Sequence, residues 1–70
     1  MDEIATFARN AATARARLHL SQTQVSSRSG IHVTEVSRIE RGLRDPRLST
    51  LIRLARALEV DLAGLLDGIL

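Results

Sequence analysis

The stretch SQTQVSSRSGIHVTEVSRIERG, residues 21–42, decides the fold. Ser21 followed three residues later by Gln24 is the pattern of a capping box. In it the serine side chain accepts from a helix amide and the glutamine reaches back to the cap. A helix therefore starts after Ser21 and runs to about Ser29. Gly30 stops it, because glycine adopts the left-handed conformation without a steric penalty. Ile31 and His32 lead into a further helix, about Val33 to Arg41, which Gly42 ends. Its polar residues come early, while Val36 and Ile39 face back towards the rest of the chain.

Outward from this pair the chain stays helical. Ile4, Phe7, Ala8, Ala11, Ala14 and Leu18 recur at helical spacing, which predicts a first helix over about residues 3–18. Asp2 and Glu3 suit its positive end. Leu43 to Leu48 reads as a loop, since Asp45-Pro46 marks a turn. Ser49 is expected to cap a fourth helix through about Leu58 that buries Leu51, Leu54, Ala55 and Leu58. Asp61 is expected to cap a fifth, from Leu62 towards Ile69.

Composition agrees with an all-α fold. Phe7 is the sole aromatic residue, whereas alanine, leucine and arginine, all good helix formers, dominate. At 70 residues the chain is expected to be one domain, residues 1–70, with a marginal core. Cysteine is absent, and His19 and His32 have no cluster of ligands near them in sequence, so no metal or other cofactor is expected. Helix packing, a dimer interface or both must then supply the stability. No apolar run has membrane-spanning length and the chain opens on acidic residues, so the expected location is cytoplasmic. Net charge is only +2, yet all 10 basic residues are arginine. Arginine suits bidentate contacts to phosphate and guanine; GC-rich coding would give the same excess.

Two short helices joined by a tight turn at Gly30 have the geometry in which one helix lies in the DNA major groove while the other crosses the backbone. Leu20-Ser21-Gln22, Val25, Gly30 and the run Val36-Ser37-Arg38-Ile39-Glu40-Arg41-Gly42 resemble the Xre/Cro/phage-repressor helix-turn-helix family. Leu51, Leu54-Ala55, Ala57-Leu58, Val60 and Leu65-Leu66 fit that family's last two helices. The likeness covers roughly residues 7–67. It implies a compact five-helix, lambda-repressor-like DNA-binding domain with the helix-turn-helix at about residues 21–41.

The resemblance also implies roles. Gln22 matches a residue that contacts phosphate and can touch an outer base. His32, Val33, Thr34 and Arg38 match positions facing the major groove, with Ser37 beside them. Arg41, Arg44 and Arg47 fall where family members grip the backbone. Arg15 and Glu40 match a buried or half-buried ion pair between the first and third helices. The chemistry is suitable. Arg38 can donate twice to guanine O6 and N7, Val33 can pack on a thymine methyl, and Thr34 can do either kind of work. His32 is better suited to capping or phosphate contact than to base reading.

Several positions depart from the family pattern. Ser29 replaces a buried aliphatic residue, so its hydroxyl is expected to bond a carbonyl one turn back. Ser26 replaces alanine and is still small. Glu59 replaces a helix-closing glycine, so the fourth helix is expected to end differently. His32 and Val33 stand where glutamines are common, so an operator sequence cannot be borrowed from a relative.

Leu62, Leu65, Leu66, Ile69 and Leu70 give the last helix more apolar surface than one small core uses. A homodimer through Leu62, Leu66 and Ile69 is expected, binding double-stranded DNA at a palindromic operator with half-sites ~34 Å apart. The function expected is a transcriptional regulator, a repressor or autoregulator, similar to the compact controller proteins of restriction–modification systems. A protein-interaction module or an antitoxin-type partner is the alternative. With no phosphate loop, no nucleophile beside a base and little room for a ligand cavity, neither an enzyme nor a small-molecule sensor is expected.

Overall fold

The computed structural model describes residues 2–69, which form five helices and no strand. Leu70 lies outside the described residues. Helix α1 spans Glu3–Arg17, α2 Gln22–Ser29, α3 Val33–Glu40, α4 Leu48–Ala57 and α5 Leu62–Leu65. The expected boundaries hold to within a residue for the first three, the ordinary scatter of helix ends.

The caps explain where the helices start. Asp2 accepts from the Ile4 amide at 2.9 Å. At α2 the capping box is complete: the Gln24 amide donates to Ser21 Oγ at 3.0 Å and the Ser21 amide to Gln24 Oε1 at 2.7 Å. His32 caps α3 through Nδ1, which accepts from the Thr34 amide at 3.1 Å.

The fourth helix begins two residues earlier than the Ser49 expectation. Its first i−4 bond runs from the Leu51 amide to the Arg47 carbonyl at 3.0 Å, and Arg47 is the N-cap with no side-chain bond. Arg47 follows Pro46 in an extended conformation, ψ 159°, which sets the start through the backbone alone. A helix start without a capping side chain forgoes about 1 kcal/mol.

Helices α1, α3 and α4 end in the same way. The amide two residues past the last helical turn closes a wide loop onto the chain: Leu20 to the Arg15 carbonyl, Leu43 to Arg38 and Val60 to Ala55. The residue in between is left-handed. At α3 it is Gly42, φ 73°, but at α1 it is His19, φ 56°, and at α4 it is Glu59, φ 58°. Helix α4 thus closes through a left-handed glutamate after all, contrary to the expectation, at a strain of about 1 kcal/mol. Arg28 on α2 holds that end, with Nη1 donating to the Ala57 carbonyl and to Glu59 Oε2, each at 3.1 Å.

The fifth helix is shorter than expected. It stops at Leu65, where Asn10 on α1 takes the last carbonyl: Nδ2 donates to the Leu65 carbonyl at 2.8 Å and to that of Asp67, beyond the helix, at 2.9 Å. The chain then turns through Gly68 at φ 84°. Phe7, Ala11, Val25, Val36, Ile39, Leu54, Leu58 and Leu65 form one core shared by all five helices. Leu62, Leu66 and Ile69 lie half-buried against it.

Candidate nucleic-acid interface

Helix α3 is bound to the domain along one stripe. Val36 and Ile39 are each 1% exposed, and Ile31 just ahead of the helix is 7% exposed. They pack with Val25 of α2 in the core. At 100° per residue, Thr34, Ser37, Arg38 and Arg41 point away from that stripe. Thr34 and Arg41 are exposed; Val33, Ser37 and Arg38 are half-buried. Gly30, φ 74°, makes this possible by turning the chain sharply between α2 and α3. A Cβ there would meet nothing within 4 Å, so glycine is required by the backbone conformation and not by space.

One flank of α3 is fastened by charge. Arg15 Nε donates to Glu40 Oε2 at 2.7 Å and Nη2 to Oε1 at 2.8 Å. Nη1 donates to the Leu20 carbonyl at 2.9 Å, tying the start of the helix-turn-helix to the same guanidinium. The side chains are 24% and 9% exposed. The Glu40 hydrogen bond raises the Arg15 guanidinium above its ordinary value, against a smaller opposing effect of burial. The pair expected between the first and third helices is therefore present, and it reaches further than expected. Gln22 Nε2 donates to Glu40 Oε1 at 3.2 Å, so the amide at the start of α2 is held beside α3.

The opposite flank is looser. Arg44 Nε donates to Glu35 Oε1 at 3.2 Å and its Nη1 to the Leu43 carbonyl at 3.2 Å. The Arg41 Nε–H points to the Ser37 carbonyl at 3.4 Å. Arg47 lies exposed at the start of α4. Among the described residues, the side chains of Arg38 and Arg47 have no hydrogen-bonding or ionic partner in the protein. His32 Nδ1 is an acceptor in its cap, which leaves the proton on Nε2 as a free donor.

The structure thus gathers Gln22, His32, Thr34, Ser37, Arg38 and Arg41 around one helix, with Val33 beside them, and sets Arg44 and Arg47 on the loop that follows. Leu62, Leu66 and Ile69 belong to a different region, around α5. Further contacts escaped the sequence. Glu35 pairs with Arg44 across nine residues, Asn10 reaches 55 and 57 residues along the chain, and Arg28 reaches 31 to Glu59. None has a local spacing signal. Ser29 also behaves otherwise than expected: its Oγ accepts from the Ile31 amide at 3.1 Å, because the turn at Gly30 brings that amide within reach.

The model of the helix-turn-helix family HTH_3 matches residues 12–65. The control protein C.SmaI of Serratia marcescens is 41% identical over 66 residues, 94% of this chain and 79% of that protein. Antitoxin HigA1 of Mycobacterium tuberculosis is 43% identical over 53 residues, 76% of this chain and 36% of the antitoxin. The crystal structure of the restriction–modification controller protein C.AhdI from Aeromonas hydrophila superposes with a TM-score of 0.86 at 29% identity, covering 89% of this chain and 94% of that one. The chain spans as little as 25% of the length of other curated relatives it matches.

Proposed function

Because the chain belongs to the helix-turn-helix family HTH_3, we propose that it is a sequence-specific DNA-binding transcriptional regulator, working in the cytoplasm as a dimeric repressor or autoregulator. The observation that carries this reading is the outer face of α3. Its inner stripe is fixed in the core, while the Arg38 guanidinium is left without a protein partner. A guanidinium so placed is ready to donate twice to guanine O6 and N7. Val33 and Thr34 contribute contacts to neighbouring bases. Gln22, His32, Arg41, Arg44 and Arg47 bond phosphates and set the register. Ser37 lies between the two groups.

The fold supports pairing of two such domains. Leu66 and Ile69 line an open groove of about 180 Å³ with Ile4, Phe7, Pro46 and Leu51. In this reading Leu62, Leu66 and Ile69 meet the same residues of a second copy, and two recognition helices address half-sites ~34 Å apart on a palindromic operator.

Selection of bound sequences from random duplex DNA tests the whole proposal. An enriched palindrome with half-sites one helical turn apart is the expected result. Recovery of unenriched sequence at every salt concentration would overturn it. The likeness to an antitoxin favours one further reading, in which a protein partner binds the same fold; a stoichiometric protein that co-purifies and blocks DNA binding would support it.

A further inference from the structure

The exposed ion pair between Arg44 and Glu35 sets one arginine of the DNA-facing surface against a carboxylate on the recognition helix itself. We propose that Glu35 competes with DNA phosphate for Arg44 and so holds down the protein's sequence-independent affinity for duplex. This rests on the DNA-binding reading above.

The geometry gives the reason. Arg44 offers its strongest grip on a phosphate through two parallel N–H bonds, along either the Nε/Nη2 edge or the Nη1/Nη2 edge. Glu35 Oε1 occupies Nε at 3.2 Å, and the Leu43 carbonyl draws on Nη1 at 3.2 Å. Each edge therefore includes a nitrogen already engaged, and of the five N–H donors one on Nη1 and two on Nη2 are left for an incoming anion. A bidentate phosphate contact along the Nε/Nη2 edge requires Glu35 to let go.

The pair is built to yield. It has a single contact at 3.2 Å, and its side chains are 42% and 33% exposed, so water already solvates both. A carboxylate left beside a phosphate is also repelled by it. Glu35 lies on the flank of α3 between the buried Val36–Ile39 stripe and the outward residues Thr34 and Arg38. It is therefore close enough to the expected backbone path to weaken binding without blocking the base readers. Non-specific affinity comes almost wholly from phosphate contacts, so the cancelled cation is felt most directly there.

The test uses the full chain, its Glu35→Gln and Arg44→Ala variants and the double variant, with a random-sequence duplex titrated across a salt series. Melting curves check that all four proteins are folded. Glu35→Gln is expected to bind random duplex about three- to five-fold more tightly at low salt, with a salt slope steeper by about 0.9. In the Arg44→Ala background the same substitution is expected to give less than half that gain. A loss of affinity in Glu35→Gln would show that the carboxylate presents Arg44 instead of restraining it, and would overturn the proposal. An equal gain in both backgrounds would overturn it too, because the effect would then be the general removal of a negative charge. If the unaltered protein retains no duplex even in dilute salt, the DNA-binding reading falls, and this proposal with it. If it does bind and Glu35→Gln changes nothing, this proposal falls alone.

Discussion

Helix α3 carries an Arg–Glu pair on each flank, and the two behave as different kinds of structure. On one flank Arg15 and Glu40 are joined by two short bonds at 2.7 and 2.8 Å, with Glu40 only 9% exposed. On the other, Arg44 and Glu35 share one bond at 3.2 Å, with side chains 42% and 33% exposed. The residue types are the same. Burial and the count of hydrogen bonds decide whether the fold keeps the arginine or a ligand can take it. A bidentate, half-buried guanidinium belongs to the scaffold, since separating it from its carboxylate strands a desolvated charge. A monodentate, solvated one contributes little to stability and is available to phosphate.

The comparison is broken most severely at Glu40. Glu40→Ala should destabilise the domain by about 2–3 kcal/mol, because Arg15 loses its partner while remaining partly buried. Gln22 would lose its anchor as well. Thermal or urea unfolding measures this, and a change under about 0.5 kcal/mol would mean that the pair is merely a surface contact.

Next in size is Arg38, which lies between the flanks and whose guanidinium has no protein partner. Arg38→Ala should relax discrimination at one base pair by about 1–3 kcal/mol while leaving unfolding unchanged. Equal loss on every sequence would reassign it to the backbone. Arg47→Ala should weaken binding to all sequences and lower the salt slope by about 0.9; an unaltered slope excludes a phosphate contact. The smallest effect belongs to the looser flank: Glu35→Ala should change stability by less than about 1 kcal/mol. A cost as large as that of Glu40→Ala would erase the distinction between the two pairs.

Much of the fold was legible because its determinants are local. Ser21 and Gln24 lie three residues apart, Gly30 and Gly42 follow the helices they end, and Val36 and Ile39 share a helix face. The Arg15–Glu40 pair spans 25 residues and was reached through family likeness, not through spacing. At two places where the sequence misled, a distant partner had changed the local outcome. Glu59 adopts a conformation suited to glycine, and Arg28 from α2 ties its carboxylate and the Ala57 carbonyl together. Asn10 shortens α5 by capping it from α1. Ser49 carries a good capping side chain, yet the extended backbone at Arg47 starts the helix ahead of it. The candidate site was legible as a set of residues on α3. That Arg44 is held by Glu35 was not, because charge pairing across a loop leaves no periodic trace.

The central claim is that the outward face of α3 enters a duplex groove. Titration of the isotope-labelled protein with a duplex from the selection, followed residue by residue by NMR, tests it most directly. The largest shifts should fall on Gln22 and on residues 32–41, and should fade as salt is raised. Shifts confined to α5 and the residues after it, or none at all in dilute salt, would contradict it.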